Sequence, residues 1–211
     1  PDSASARRAL ELDTNAPLLG LLPGSRRSEV SRLGPVFIET ARWLRARHPE
    51  LRFVAPMATP AVRALFEAQI ARAGADLGIR LVDGRSREIM RAADVLLLAS
   101  GTATLEALLA KTPMVVAYKL SPMNYAIARV FNLIKTEHVS MPNLLAKRAL
   151  VPECLQQQAR VSVIGPEVDR LLESQAARAA QTDAFAGIHQ QLALDADERA
   201  ADAVAKLLEA R

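Results

Sequence analysis

Asp94-Val95-Leu96-Leu97-Leu98-Ala99 runs directly into Ser100-Gly101-Thr102-Ala103-Thr104-Leu105-Glu106. The first six residues are a short apolar run of the buried-strand kind. Thr104 to Lys111 reads as a helix, so strand, tight Ser-Gly-Thr turn and helix follow one another without spare residues. Gly101 lets the backbone come close to a ligand, and Ser100 and Thr102 are residue types that cap helices. The first N–H groups of such a helix lack intrahelical partners and favour an anion. Glu106 lies one turn in. A carboxylate does not bind phosphate, but it accepts two hydrogen bonds from the vicinal hydroxyls of a ribose. Turn and carboxylate together fit a nucleoside diphosphate; the alternative is a capped helix carrying one solvated Glu.

Upstream and downstream, the same alternation repeats. Residues 3–12 have helical spacing after a cap at Asp2 or Ser3. Pro17 to Leu22 is an apolar first strand, ended by Pro23-Gly24-Ser25-Arg26-Arg27-Ser28-Glu29. Ser25 or Ser28 is placed to cap a short helical turn whose positive end suits Glu29. Gly34-Pro35 interrupts, and Pro35 suits the first position of a main helix. Leu51 to Met57 is a strand, Pro60 to Ala73 a helix, and Ile79 to Val82 a strand. The turn Asp83-Gly84-Arg85-Ser86 precedes a short helix, Arg87 to Ala92. After the central strand come Pro113 to Tyr118 as a strand, Met123 to Leu133 as a helix, and His138 to Ser140 as a last short strand. Met141 to Ala146 reads as a loop. After Gly165-Pro166 the chain is all helical, with segments at Glu167 to Glu173, Ala184 to Leu192 and Asp197 to Ala210.

Alternating strands and helices specify an α/β chain: a Rossmann-like, doubly wound parallel sheet with a helical C-terminal tail. Right-handed crossovers and the order 3-2-1-4-5-6 make strands one and four neighbours, with their loops diverging to opposite faces. The two loops flanking the resulting crevice are Pro23 to Glu29 and Ser100 to Glu106. The division expected is 1–16 a linker helix, 17–165 the nucleotide-binding domain and 166–211 the tail.

Composition narrows the function. The chain has 211 residues, half of them apolar, a net charge of +4 and a pI near 9.6, which favour anionic partners. Aromatics make up only 4%, without the interleaving of basic and stacking residues that single-stranded nucleic acid needs, so no nucleic-acid partner is expected. The single Cys154 excludes an internal disulfide and fits a reducing compartment. His48, His138 and His189 lack ligand spacing in the sequence, and no metal is expected. No apolar run reaches the length of a membrane span, no signal peptide opens the chain, and Pro1 suggests a piece of something longer. The absence of G-x-G-x-x-G after the first strand argues against NAD or FAD, and the absence of a P-loop against ATP or GTP hydrolysis.

Four stretches carry a resemblance. They are Leu22-Pro23-Gly24-Ser25-Arg26, Ala99 to Glu106, Pro113-Met114-Val115-Val116-Ala117-Tyr118-Lys119, and Val139-Ser140-Met141-Pro142-Asn143-Leu144-Leu145-Ala146. In this order and spacing the chain resembles the C-terminal half of the lipid A disaccharide synthase family. The tail, His189-Gln190-Gln191 with Asp197-Glu198-Arg199-Ala200-Ala201, is similar too. More distantly, Ser-Gly-Thr…Glu looks like other GT-B glycosyltransferases.

The resemblance implies inverting transfer of diacylglucosamine from UDP-diacylglucosamine to diacylglucosamine 1-phosphate (lipid X), giving a β(1→6) disaccharide and UDP without a cofactor. It implies a cytoplasmic location, peripheral on the inner membrane, a donor-binding role for this half, and a facing N-terminal half that binds acceptor and carries the base. A homodimer is allowed, and the isolated piece is expected to bind UDP but catalyse nothing. Arg26 and Asn143 are the expected catalytic residues. Gly24, Ser25, Gly84, Arg85, Ser100, Gly101, Thr102, Ala103, Thr104, Glu106 and Lys119 are the expected donor contacts. Other readings stay open: Arg26 as a solvated arginine, Asn143 as a helix cap, Gly84 to Arg87 as an ordinary turn. The stripe Met123, Tyr125, Ile127, Val130, Phe131 and Ile134, beside Arg129 and Lys135, faces either a membrane or the core. Two alternatives compete for the whole: a non-catalytic UDP-sugar module, and a UDP-N-acetylglucosamine epimerase.

Overall fold

The computed structural model of the chain describes residues 2–74, 77–120, 138–193 and 206. Its strands are β1 (Leu18–Leu22), β2 (Arg52–Met57), β3 (Arg80–Asp83), β4 (Val95–Ala99), β5 (Met114–Tyr118) and β6 (Glu153–Leu155). Its helices are α1 (Ser3–Ala9), α2 (Arg27–Arg47), α3 (Pro60–Ala73), α4 (Ser86–Ala92), α5 (Ala103–Ala110), α6 (Met141–Ala146), α7 (Val161–Glu173) and α8 (Gln175–Leu192). All strand pairs are parallel, in the order β3-β2-β1-β4-β5-β6. The expected doubly wound sheet is therefore present.

Strand alternation sorts the core into two layers. Leu19, Leu21, Phe53, Ala55, Val95, Leu97 and Val115 pack with Leu33, Phe37, Ala41 and Leu44 of α2, Phe66 of α3 and Ile164 and Val168 of α7. Leu96, Leu98, Met114 and Val116 face the other way, against Ala107 and Leu108 of α5 and Phe185 and Ile188 of α8. Because β1 leads to α2 on the first face and β4 leads to α5 on the second, their loops part above the sheet. Leu22 is level with Leu98 in register, so both loops leave the same edge side by side.

Three features depart from the sequence expectation. The helix after β1 is continuous from Arg27 to Arg47 with Pro35 inside it, not restarted at Pro35. A helix-interior proline costs about 3 kcal/mol. Here eight residues of α2 are buried, which offsets that loss, and the Gln69 amide of α3 donates to the Val30 carbonyl (3.1 Å), tying α3 to α2. Pro166 likewise lies within α7, which starts at Val161, so the expected boundary at 165/166 falls inside a helix. Gly165 is small there because a Cβ would lie 2.9 Å from Cε3 of Trp43.

His138 to Ser140 is not a strand; the edge strand is Glu153–Leu155, beside β5. The buried Glu153 carboxylate accepts from the Ser140 N–H (2.8 Å) and hydroxyl (2.6 Å) and from the Val139 N–H (3.2 Å). Side chains thus take the groups that a ladder would have used. The stripe 123–134 and the segment 197–210, apart from Lys206, lie outside the described residues.

Near the amino ends of the central strands α1 docks against α4 through a buried Arg7. Its guanidinium donates to Ala92 O (2.8 Å), Ala16 O (2.9 Å) and the Asp94 carboxylate (2.8 Å). On β6, burial pushes the Cys154 thiol from the ordinary 9.0 up to about 11. The unfolded chain then loses this proton first as pH rises, so native stability is held below about 9 and falls towards 11. Urea melts of Cys154→Ala across that window are expected to lose this part of the slope.

Candidate functional site

The crevice at the carboxyl ends of the strands encloses about 540 Å³. Its walls are the Gly24-Ser25-Arg26 loop with Glu29, the β2 end at Pro56 to Ala58, Gly84 and Ser86 after β3, Ser100 to Ala103 with Glu106, and Tyr118. The sequence-derived loops therefore meet around one space.

On one wall, the backbone N–H groups of Gly101, Thr102 and Ala103 donate to nothing among the described residues. They are the open N-terminus of α5. The expected side-chain cap is absent: Thr102 is the cap residue, in helical backbone, without a capping bond. Ser100 instead donates its hydroxyl to Val139 O (2.8 Å). Thr104 is buried, donates to Gly101 O (2.7 Å) and accepts from the Met141 N–H (3.1 Å). These two hydroxyls fasten the turn to the 139–141 segment. An uncapped tip leaves the N–H groups to an incoming anion.

Glu106 borders the crevice, 35% exposed, and its carboxylate lies 3.1 Å from Nε of Arg87, with which it also lines a neighbouring pocket beside Leu109 and His189. Arg87, expected at the start of the short helix after β3, lies nineteen residues away in sequence, and the β3-to-β4 crossover brings it here.

On the facing wall, Gly24 has φ 126°, a backbone that disfavours side chains. A Cβ there would also lie 2.5 Å from Glu29. Arg26 is 80% exposed, with its guanidinium 3.6 Å from the Glu29 carboxylate. The α2 cap is Arg26, not Ser25 or Ser28, and Glu29 turns back on it. Arg26 is thus available to a ligand.

Three expected site residues are placed otherwise. Asn143 is neither in a loop nor a cap: it sits buried inside α6. Its amide donates to Val151 O (3.0 Å) and accepts from the N–H groups of Leu150 and Val151 (both 2.8 Å). Every polar atom of that side chain is engaged within the chain. Arg85, left-handed at φ 53°, turns its guanidinium to Glu88 (2.9 Å) and Ala9 O (3.0 Å), so Gly84 and Ser86 line the crevice instead. Tyr118, the last residue of β5, lines it, and Lys119, just past the strand's end, does not.

His138 Nδ1 lies 3.9 Å from Glu153, too far for a hydrogen bond. Away from the crevice, His48, Asp169 and Glu173 converge through space despite having no ligand spacing in sequence. His48 (2.6 Å) and Arg47 (3.0 Å) both bind the Asp169 carboxylate there, tying α2 to α7. Among the described residues no helix is long and apolar enough to cross a membrane.

The family model described as lipid-A-disaccharide synthetase matches residues 1–206. The chain is 47% identical to a lipid-A-disaccharide synthase of Hahella chejuensis over 99% of its own length and 52% of that protein's. It is 49% identical to one from Azotobacter vinelandii, again over 99% of its length and 54% of that protein's. The chain spans about half the length of the curated relatives it matches.

Among solved structures it is similar to the C-terminal domain of a glycosyl transferase group 1 family protein from Francisella tularensis (TM-score 0.59, 15% identity, 90% of this chain and 92% of that one). It is also similar to WaaG, a glycosyltransferase involved in lipopolysaccharide biosynthesis (TM-score 0.57, 22% identity, 96% and 50%). A UDP-N-acetylglucosamine 2-epimerase from Neisseria meningitidis, solved with UDP-N-acetylglucosamine bound, shares the fold as well (TM-score 0.54, 14% identity, 86% and 43%). These structural likenesses are of fold.

Proposed function

The chain belongs to the lipid-A-disaccharide synthetase family, and we propose that it is the donor-binding half of an inverting glycosyltransferase. In this reading the crevice holds UDP-diacylglucosamine, the acceptor is diacylglucosamine 1-phosphate, and the products are the β(1→6) lipid A disaccharide and UDP. The enzyme works at the cytoplasmic face of the inner membrane. The acceptor and its base belong to the half of the relatives' length that this chain does not span.

One observation carries the reading. An uncapped helix tip, a ribose-type carboxylate and an exposed arginine line a single crevice at the switch point between β1 and β4. The diphosphate gains negative charge as its bond to the sugar breaks. Donors fixed beforehand at the place where that charge develops lower the barrier. The N–H groups of Gly101 to Ala103 and the fork of Arg26 suit that task. Glu106 takes the ribose diol, giving up Arg87 or sharing it. Gly84 and Ser86 offer backbone groups to the base. Asn143 holds α6 against the segment before β6, and so acts through structure.

The test is binding of UDP to this chain. UDP is expected to raise its melting temperature, as a ligand of the folded state does; no shift at millimolar UDP would sink the reading. Glu106→Ala is expected to weaken UDP roughly three- to tenfold, the worth of one or two net hydrogen bonds. A 2′-deoxy analogue should lose a similar factor on the unsubstituted chain. The two losses should not add; additive losses would take Glu106 off the ribose.

A further inference from the structure

The Pro-Gly-Ser-Arg loop already holds an anion, and the anion is a side chain of this chain. Oε2 of Glu29 accepts from the backbone N–H of Ser25 at 3.0 Å and of Arg26 at 3.4 Å. Oε1 lies 3.6 Å from the Arg26 guanidinium. The carboxylate stands over Gly24, where a Cβ would come within 2.5 Å of it. A glutamate at the third helical position ordinarily reaches back to the cap residue's N–H. Here the shorter bond goes one residue further out, to Ser25, and the group lines the crevice. Two backbone N–H groups and a guanidinium converging on one oxyanion make the arrangement that receives a phosphate.

We propose that Glu29 is an internal stand-in for a phosphate of the ligand, displaced when a diphosphate enters and restored when it leaves. The proposal rests on the donor-site reading above. A phosphate and this carboxylate cannot share the three donors, because two anions at hydrogen-bond distance repel. With the crevice empty, the carboxylate keeps the loop's N–H groups satisfied and Arg26 compensated, so the loop stays formed. With a diphosphate present, the carboxylate is a neighbouring like charge that weakens the ground-state complex and speeds departure of the nucleotide.

Calorimetry with UDP, uridine and inorganic pyrophosphate on the unsubstituted chain, Glu29→Gln and Glu29→Ala tests this. Glutamine keeps an oxygen to accept from Ser25 and removes only the charge; melting temperatures check that each variant is folded. The expected result is UDP and pyrophosphate binding tightened roughly fivefold in Glu29→Gln, with slower UDP dissociation and unchanged uridine binding. UDP binding unchanged or weakened in both folded variants would overturn the proposal while leaving the donor site standing. Pyrophosphate tightened by Glu29→Gln on a chain that ignores UDP would uphold the stand-in and defeat the nucleotide reading. Failure of both ligands on all three proteins would defeat both.

Discussion

Arg26→Ala is expected to weaken UDP binding about thirtyfold while leaving uridine binding unchanged, the loss belonging to one charge-assisted, bidentate contact. The guanidinium is 80% exposed and its one ionic partner among the described residues, Glu29, sits at 3.6 Å. Its removal therefore costs the fold little and the ligand much. In an enzyme containing this half, the same substitution should lower kcat at least tenfold, because the phosphate charge it faces grows as the glycosidic bond breaks. Arg26→Lys should recover only part, since an ammonium lacks the planar fork. Equal losses for UDP and uridine would show that the substitution disturbed the loop and not a phosphate contact. Wild-type turnover in Arg26→Ala would remove the residue from the site.

Asn143→Ala is expected to lower unfolding free energy by about 3 kcal/mol, roughly one for each of the three hydrogen bonds lost. The partners left behind are the N–H groups of Leu150 and Val151 and the carbonyl of Val151, itself a buried residue. Asn143→Asp should not rescue it, because a carboxylate satisfies the two N–H groups but meets the Val151 carbonyl with no proton to donate. Urea melts read the loss, and UDP titration under strongly native conditions reads the ligand. Should Asn143→Ala keep its stability and lose UDP binding instead, the side chain would be a ligand contact after all.

The fold was legible because its signals are local and repeat. Short apolar runs such as Leu96 to Leu98, each followed by a turn and an amphipathic stretch, admit one architecture. Strand order then follows from handedness, and it brings Pro23 to Glu29 and Ser100 to Glu106 together without knowledge of a single contact. What misled were residues whose local meaning packing overrules. Pro35 and Pro166 signal helix ends, yet α2 and α7 run through both. Buried faces on the sheet outweigh a local cost that propensity alone makes prohibitive. Glu153-Cys154-Leu155 is too short to show a strand period, and only β5 beside it makes it one.

By itself, then, the sequence determined the parallel sheet, the crossing point of its loops and the residue types that gather there, because these follow from periodicity and chain handedness. The tertiary structure alone decided what each side chain is free to do. Ser100, Thr104 and Asn143 look like ligand groups in the sequence, and their side chains also bond Val139, Gly101 and residues 150–151. Glu106 meets Arg87, and Glu29 fills the loop beside Arg26. Whether a polar atom is open to a ligand depends on which distant backbone group reaches it first, and no local pattern encodes that distance.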